Sequence, residues 1–235
     1  MDFTYNINNI NEKISKAAEK SGRKFEDILL LPATKCVEAA VIKNLLCSSI
    51  TQIGENRVNE MLDKYDALKN DFKFHFIGTL QSNKVKYVID KVCLIHSVNS
   101  IKLAEEIQKQ SAKHGISTDI LIEVNIENEA SKTGIAPNEI TELLQNISQM
   151  QNITVRGLMA IPPFDENINK TREYFKKTYK LFIDIRDEKM DNIYMQYLSM
   201  GMSNDYEIAI EEGANIVRIG TGIFGIRNYN IGGGF

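Results

Sequence analysis

The 235 residues hold no tryptophan, only four prolines, three cysteines and three histidines. Each scarcity removes a class of protein. Cys36, Cys47 and Cys93 are odd in number and never spaced as C-x-x-C, which argues against a disulfide framework or a zinc site and reads as reduced thiols. His96 and His114 have no carboxylate or cysteine at ligand spacing, so they read as satisfied or solvated imidazoles, and no metal is expected. No apolar run approaches the roughly 18 residues needed to span a bilayer. The opening Met1-Asp2-Phe3-Thr4-Tyr5-Asn6 lacks the basic-then-apolar order of a signal peptide. A cytoplasmic location without membrane contact is expected.

Excess charge is also missing. Lys and Arg number 28 against 31 Asp and Glu, and the basic residues are spread along the chain, which argues against nucleic acid as a partner. No linker rich in Pro, Gly or Ser divides the sequence, and its one biased stretch, Gly232-Gly233-Gly234, reads as a frayed end. With 43% hydrophobic residues the chain can fill a sizeable core, and one domain over 1–235 is expected. No element shows a surplus apolar face, so a monomer is expected.

What is present is alternation. Apolar spacing switches repeatedly between continuous or period-two runs and a 3.6 period, the pattern of strands alternating with helices. Residues 6–20 form an amphipathic helix closed by Ser21-Gly22. Buried strands then follow at 28–34, 50–56, 73–78, 92–98, 119–126, 154–161, 196–202 and 216–221, with helical patterns between them, such as 101–107 and 171–190. Eight such units fit an α/β fold, a single (β/α)₈ TIM barrel over about 28–227 with an extra N-terminal helix, better than an open doubly wound sheet.

A barrel of this kind places its chemistry at the C-terminal ends of its strands, and phosphate is commonly held after strands 7 and 8. Lys35 follows the first strand directly and points its amine at the barrel mouth; position alone favours a lysine snorkelling from a strand end, so other features must decide. Ser203 reads as the N-cap of the helix after strand 7. Gly220-Thr221-Gly222 offers backbone N–H groups unshielded by side chains, and together these make a phosphate cup. Arg218 is an inward cation in an otherwise apolar strand, set either to contact a ligand or to pair with a barrel carboxylate.

Several segments then resemble one family. Ala33-Thr34-Lys35, Gly54-Glu55-Asn56, His75-Phe76-Ile77-Gly78 with Leu80-Gln81-Ser82-Asn83-Lys84, Val124-Asn125, Ser131-Lys132-Thr133-Gly134, Arg156 to Pro162, Leu198 to Ser203 and Val217 to Thr221 are similar to motifs of the pyridoxal 5′-phosphate (PLP) homeostasis proteins. They run in order from about residue 4 to Arg227. The resemblance implies a barrel like the N-terminal domain of alanine racemase, with PLP held as an aldimine on Lys35. It also implies phosphate contacts from Ser203, Gly220 and Thr221, Arg218 facing the pyridine nitrogen, and Asn56 flanking the ring. Met200 and His75 are candidates for the ring-side wall. The family often has Trp where Phe74 stands, and the tail after Tyr229 matches none of its motifs. Gln81 to Lys84 read as the start of a helix and stay outside the expected site.

An arginine opposite the pyridine nitrogen can only donate a hydrogen bond, so it leaves the ring a weak electron sink. Together with a sequence that ends at the eighth strand, this favours holding PLP and delivering it to apo-enzymes over turnover. The rivals are a low-activity amino-acid racemase, which needs a tyrosine or cysteine on the ring face opposite Lys35, and an aldolase or isomerase that uses Lys35 on a sugar phosphate. Cys36, taken as the next residue of the strand, is expected to point away from that face.

Overall fold

Short apolar runs buried on both faces form parallel strands covered by helices. The computed structural model describes residues 3–128, 133–163, 165 and 167–225, and all eight expected strands form in it. They are β1 (Leu29–Pro32), β2 (Gln52–Glu55), β3 (Lys73–Phe76), β4 (Val92–Val98), β5 (Thr118–Val124), β6 (Ile153–Ala160), β7 (Ile193–Ser199) and β8 (Ile216–Ile219). The helices are α1 (Thr4–Lys20), α2 (Ala39–Ile42), α3 (Val58–Leu68), α4 (Ile101–His114), α5 (Ile140–Ser148), α6 (Ile168–Glu188), α7 (Tyr206–Glu211) and α8 (Thr221–Phe224). Every ladder is parallel, in the order β1-β8-β7-β6-β5-β4-β3-β2. The two end strands meet through a bridge between Ala33 and Gly54, reinforced by Thr34 N–H donating to Gly54 O at 2.9 Å, so the sheet is a near-closed barrel.

Strand ends differ from expectation where the chain turns away to build the mouth. β1 ends at Pro32, β8 at Ile219, and β7 lies three residues earlier than expected. Beyond β7 the chain turns at Gly201, φ +91°, whose carbonyl accepts from Arg218 N–H at 3.0 Å. Ser131, Lys132 and the segment after Gly225, including Arg227 and the glycine tail, lie outside the described residues.

Strand alternation sorts side chains into two layers. Leu31, Ala33, Ile77, Leu94, Leu121, Met159 and Ile216 pack together inside the barrel. Their neighbours of opposite parity, among them Leu30, Ile53, Phe74, Ile95, Leu198 and Val217, pack outward in the larger core that includes the helices.

α1 braces the end of the barrel that follows β8. Ile7, Ile10, Ile14, Ala17 and Ala18 form its buried face, each isoleucine contributing roughly 1.5–3 kcal/mol of burial. The helix stops at Ser21-Gly22, where Gly22 takes φ +70° and Arg23 N–H reaches back to Ala18 O at 2.9 Å. Asn6 Nδ2 donates to Ile223 O at 2.9 Å, and Phe3 meets Phe224 edge-on with ring centroids 5.2 Å apart, which ties α1 to the turn after β8.

Candidate functional site

The mouth of the barrel holds a cavity of about 520 Å³, within the range of small-molecule sites. Lys35, Asn56, Ser203, Arg218, Gly220 and Thr221 all line it. Four strand ends, β1, β2, β7 and β8, therefore bring together six of the eight residues singled out in the sequence. Ile77, Ile161 and Pro162 add apolar wall, and Asp165 and Asp205 add carboxylates. None of these five was singled out as a site residue in the sequence, although Ile77, Ile161 and Pro162 stand in the segments that carry the resemblance. Ile77 had a usable signal, because it lies two residues past His75 on the same strand face.

His75 and Met200 are corrections. His75 faces the barrel interior but deeper than the cavity, 3% exposed, with Nε2 2.9 Å from Gln52 Oε1 and Nδ1 2.9 Å from His96 Nε2. Met200 has the opposite parity to the inward Ser199 and is buried in the outer core. Neither lines the cavity. Ser203 is a third correction, since α7 starts at Tyr206 and Ser203 does not cap it. Its Oγ instead accepts from Gly222 N–H at 3.1 Å, linking the two loops of the expected cup. The Gly222 amide is thereby engaged, while the Ser203 hydroxyl proton remains available to an acceptor.

Arg218 is almost fully buried. Its Nη1 donates to Ser199 O and Ser199 Oγ, each at 2.7 Å, and its Nη2 to Ala160 O at 3.0 Å. That engages three of the five guanidinium donors. Among the described residues no carboxylate lies within salt-bridge distance, so the ion-pair reading of Arg218 is not what the fold provides. Burial lowers its pKa to about 10, opposed by the charges of Asp205 and Glu123, and it stays cationic at neutral pH.

A single hydrogen-bonded chain runs from Arg218 down through the barrel. His96 Nδ1 lies 3.0 Å from Ser199 Oγ, and the two imidazoles and Gln52 complete it. A guanidinium only donates, so the Ser199 hydroxyl accepts from Arg218 and donates its own O–H to His96 Nδ1. His96 Nε2–H then donates to His75 Nδ1, and His75 Nε2–H to Gln52 Oε1. The arrangement needs both imidazoles neutral. Burial supplies that condition, lowering the His75 pKa to about 4 and pushing His96 well below the usual histidine range.

Lys35 sits in a turn, not in the strand. Val37 N–H donates to Thr34 O at 3.1 Å across Lys35 and Cys36, and Cys36 adopts φ +58°. That left-handed conformation costs a non-glycine residue roughly 1–2 kcal/mol. Cys36 accordingly lines a neighbouring cavity of about 950 Å³, with Gln81 and Lys84, and not the one that Lys35 lines. Asn56 borders both cavities, and its Oδ1 is buried without a partner. Gly78 is required beside it, because a Cβ there would fall 2.1 Å from Asn56 O.

An orphaned amide oxygen, a serine hydroxyl, unshielded glycine backbone and a partly engaged guanidinium suit a phosphorylated, ring-nitrogen-containing aldehyde beside a lysine. His114 is exposed and His96 is satisfied within the barrel; among the described residues no group of His, Cys, Asp or Glu is arranged for a metal. No described helix is long and apolar enough to cross a membrane.

The fold and the mouth define a barrel of the alanine racemase N-terminal type, and the family description "Alanine racemase, N-terminal domain" matches residues 6–228. A Clostridium difficile alanine racemase shares this fold at TM-score 0.73 and 17% identity, over 97% of this chain and 60% of that one. The more specific match is to the pyridoxal phosphate homeostasis proteins: the one from Aquifex aeolicus is 46% identical over 230 residues, 97% of this chain and all of its own length. PipY of Synechococcus elongatus PCC7942, solved with PLP bound, superposes at TM-score 0.80 with 30% identity over 92% of this chain and 100% of its own. The chain belongs to the pyridoxal phosphate homeostasis protein family.

Proposed function

We propose that this protein holds PLP as an aldimine on Lys35 and serves PLP homeostasis by keeping a reactive aldehyde protected and releasing it to apo-enzymes. The observation that carries the reading is the shared cavity of Lys35, Asn56, Ser203, Arg218, Gly220 and Thr221. In it Ser203 and the Gly220 and Thr221 amides take the phosphate, Asn56 flanks the ring, and the free donors of Arg218 meet the pyridine nitrogen. A permanently cationic donor leaves that nitrogen unprotonated, which weakens the ring as an electron sink and favours storage over amino-acid chemistry. No tyrosine or cysteine lines the cavity among the described residues, so the second acid-base group a racemase needs lacks a candidate of the expected kind.

Borohydride reduction followed by peptide mapping tests the covalent step. The phosphopyridoxyl group is expected on Lys35, and a label on Lys84 or Lys132 with Lys35 unmodified would overturn it. Incubation with a panel of L-amino acids under saturating PLP tests the role. Turnover on the order of 1–10³ s⁻¹ would restore the racemase reading.

A further inference from the structure

Lys64 has no place in the cavity that Lys35 lines, yet it is bonded to the turn that carries Lys35. Its side chain, 9% exposed, rises from α3 behind β1 and β2. Nζ lies 2.9 Å from Thr34 O, 3.0 Å from Glu55 Oε1 and 2.9 Å from Glu60 Oε1, one acceptor for each ammonium hydrogen. The same two carboxylates hold the residues on either side of Lys35. Thr34 Oγ1 donates to Glu55 Oε1 at 2.6 Å, and Cys36 N–H donates to Glu60 Oε1. Thr34 and Glu55 are both fully buried, so their bonds are not shared with bulk water. The left-handed Cys36 is thus fixed by Glu60, and the carbonyl on the other side of Lys35 by Lys64.

We infer that Lys64 is the positioning residue for the Lys35 amine: through Glu55 and Glu60 it clamps Thr34 and Cys36, so that Lys35 leaves the turn in one direction, toward the cavity. This rests on Lys35 being the aldehyde-binding lysine. Condensation forms the C=N bond between the Lys35 nitrogen and the aldehyde carbon and releases water, and its equilibrium depends on where the amine is held. The phosphate contacts and the Arg218 contact come from the ends of β7 and β8, to which Lys64, Glu55 and Glu60 make no bond among the described residues; of the ring contacts only Asn56 adjoins the clamp, following Glu55 on β2.

The test compares two probes on wild type and Lys64→Met. PLP uses the amine as well as the phosphate and ring contacts, whereas pyridoxine 5′-phosphate lacks the aldehyde and uses only the latter. Lys64→Met is expected to weaken PLP by about tenfold or more while pyridoxine 5′-phosphate stays within about twofold, both by equilibrium titration. The absorption band of the PLP complex should fall in parallel. Equal losses for both probes would show a general structural role and overturn the proposal, as would no loss for either. Should Lys64→Met fail to fold, Glu60→Ala reports on the same clamp from a side chain 20% exposed, with the same selective loss expected. The wild-type arm stands alone. If borohydride leaves its Lys35 unlabelled, the aldehyde-binding reading falls with the proposal, whereas a labelled Lys35 and a non-selective variant reject the clamp only.

Discussion

Arg218 Nη1 donates to both the carbonyl and the hydroxyl oxygen of Ser199, each at 2.7 Å. Two bonds to one residue, with Nη2 on Ala160 O, fix the guanidinium plane and leave its remaining donors for the cavity. Arg218→Lys keeps the charge, but a single ammonium cannot reproduce the planar fork. Hydrogen bonds from a charged donor contribute roughly 1.5–3 kcal/mol each, so the urea midpoint should drop by the equivalent of at least one of them. PLP affinity should fall about tenfold, or 1.4 kcal/mol. Unchanged midpoint and affinity would mean that the fork is dispensable.

The paired imidazoles beneath Arg218 predict acid sensitivity. The folded pKa of His75 is lowered by burial to about 4, while the unfolded chain binds that proton near 6.5. Between those values the unfolded state holds more protons, so this contribution is fully present above pH 6.5 and is lost as pH falls toward 4. The slope is about 1.4 kcal/mol per pH unit for one histidine, ~3 kcal/mol over the window. Glu55, Glu123 and Asp205, whose pKa values burial raises, act with the opposite sign. The contrast must therefore be drawn against a variant. Urea denaturation of wild type and His75→Gln from pH 4 to 7 should give a shallower pH dependence in the variant, and parallel curves would rule the imidazole out as its source.

The barrel was legible because strand and helix periods alternate without interruption, and Lys35, Asn56, Arg218 and Gly220 because strand ends converge by topology. Parity alone was enough to reject Met200. With Ser199 facing inward, its neighbour must face the helices. His75 has the right parity, but depth along a barrel depends on register, which sets His75 beside Gly54 and Leu94 and leaves the mouth to Ile77. Ser203 misled because a serine just past a glycine-containing strand end looks like a helix cap, whereas Asp205 organises this loop by accepting from Met202 N–H at 2.5 Å. The Lys64 clamp was invisible, since it joins outward-facing Thr34 and Glu55 to a helix, and no sequence spacing encodes that meeting.

Gly78 should prove as sensitive as the residues that face the cavity. Gly78→Ala would drive its methyl into the Asn56 backbone, and backbone cannot rotate aside as a flexible side chain can. Overpacking of this kind costs roughly 1–3 kcal/mol, and the 2.1 Å approach argues for the upper end. Asn56 borders the cavity, so PLP affinity should drop along with the thermal midpoint. A variant with normal stability and normal affinity would show that the β2 and β3 ends separate freely.

Affinity for PLP should rest mainly on the phosphate end. The dianion would meet the Ser203 hydroxyl and the Gly220 and Thr221 amides, and charge-assisted bonds of this kind contribute roughly 1.5–3 kcal/mol each. The aldehyde bond to lysine is reversible and adds less in water. Unphosphorylated pyridoxal should therefore bind at least ~100-fold more weakly than PLP, about 2.7 kcal/mol, a little under the roughly 3 kcal/mol of two such bonds at their lower limit. Ser203→Ala should account for only part of that loss. It removes one donor and frees the Gly222 amide that Ser203 Oγ now engages at 3.1 Å, and a freed amide can itself turn to the phosphate. Titration of the visible band with both vitamers, on wild type and Ser203→Ala, separates these contributions. Equal affinity for pyridoxal and PLP on the wild type would show that the turns after β7 and β8 are ordinary turns and that the phosphate lies elsewhere.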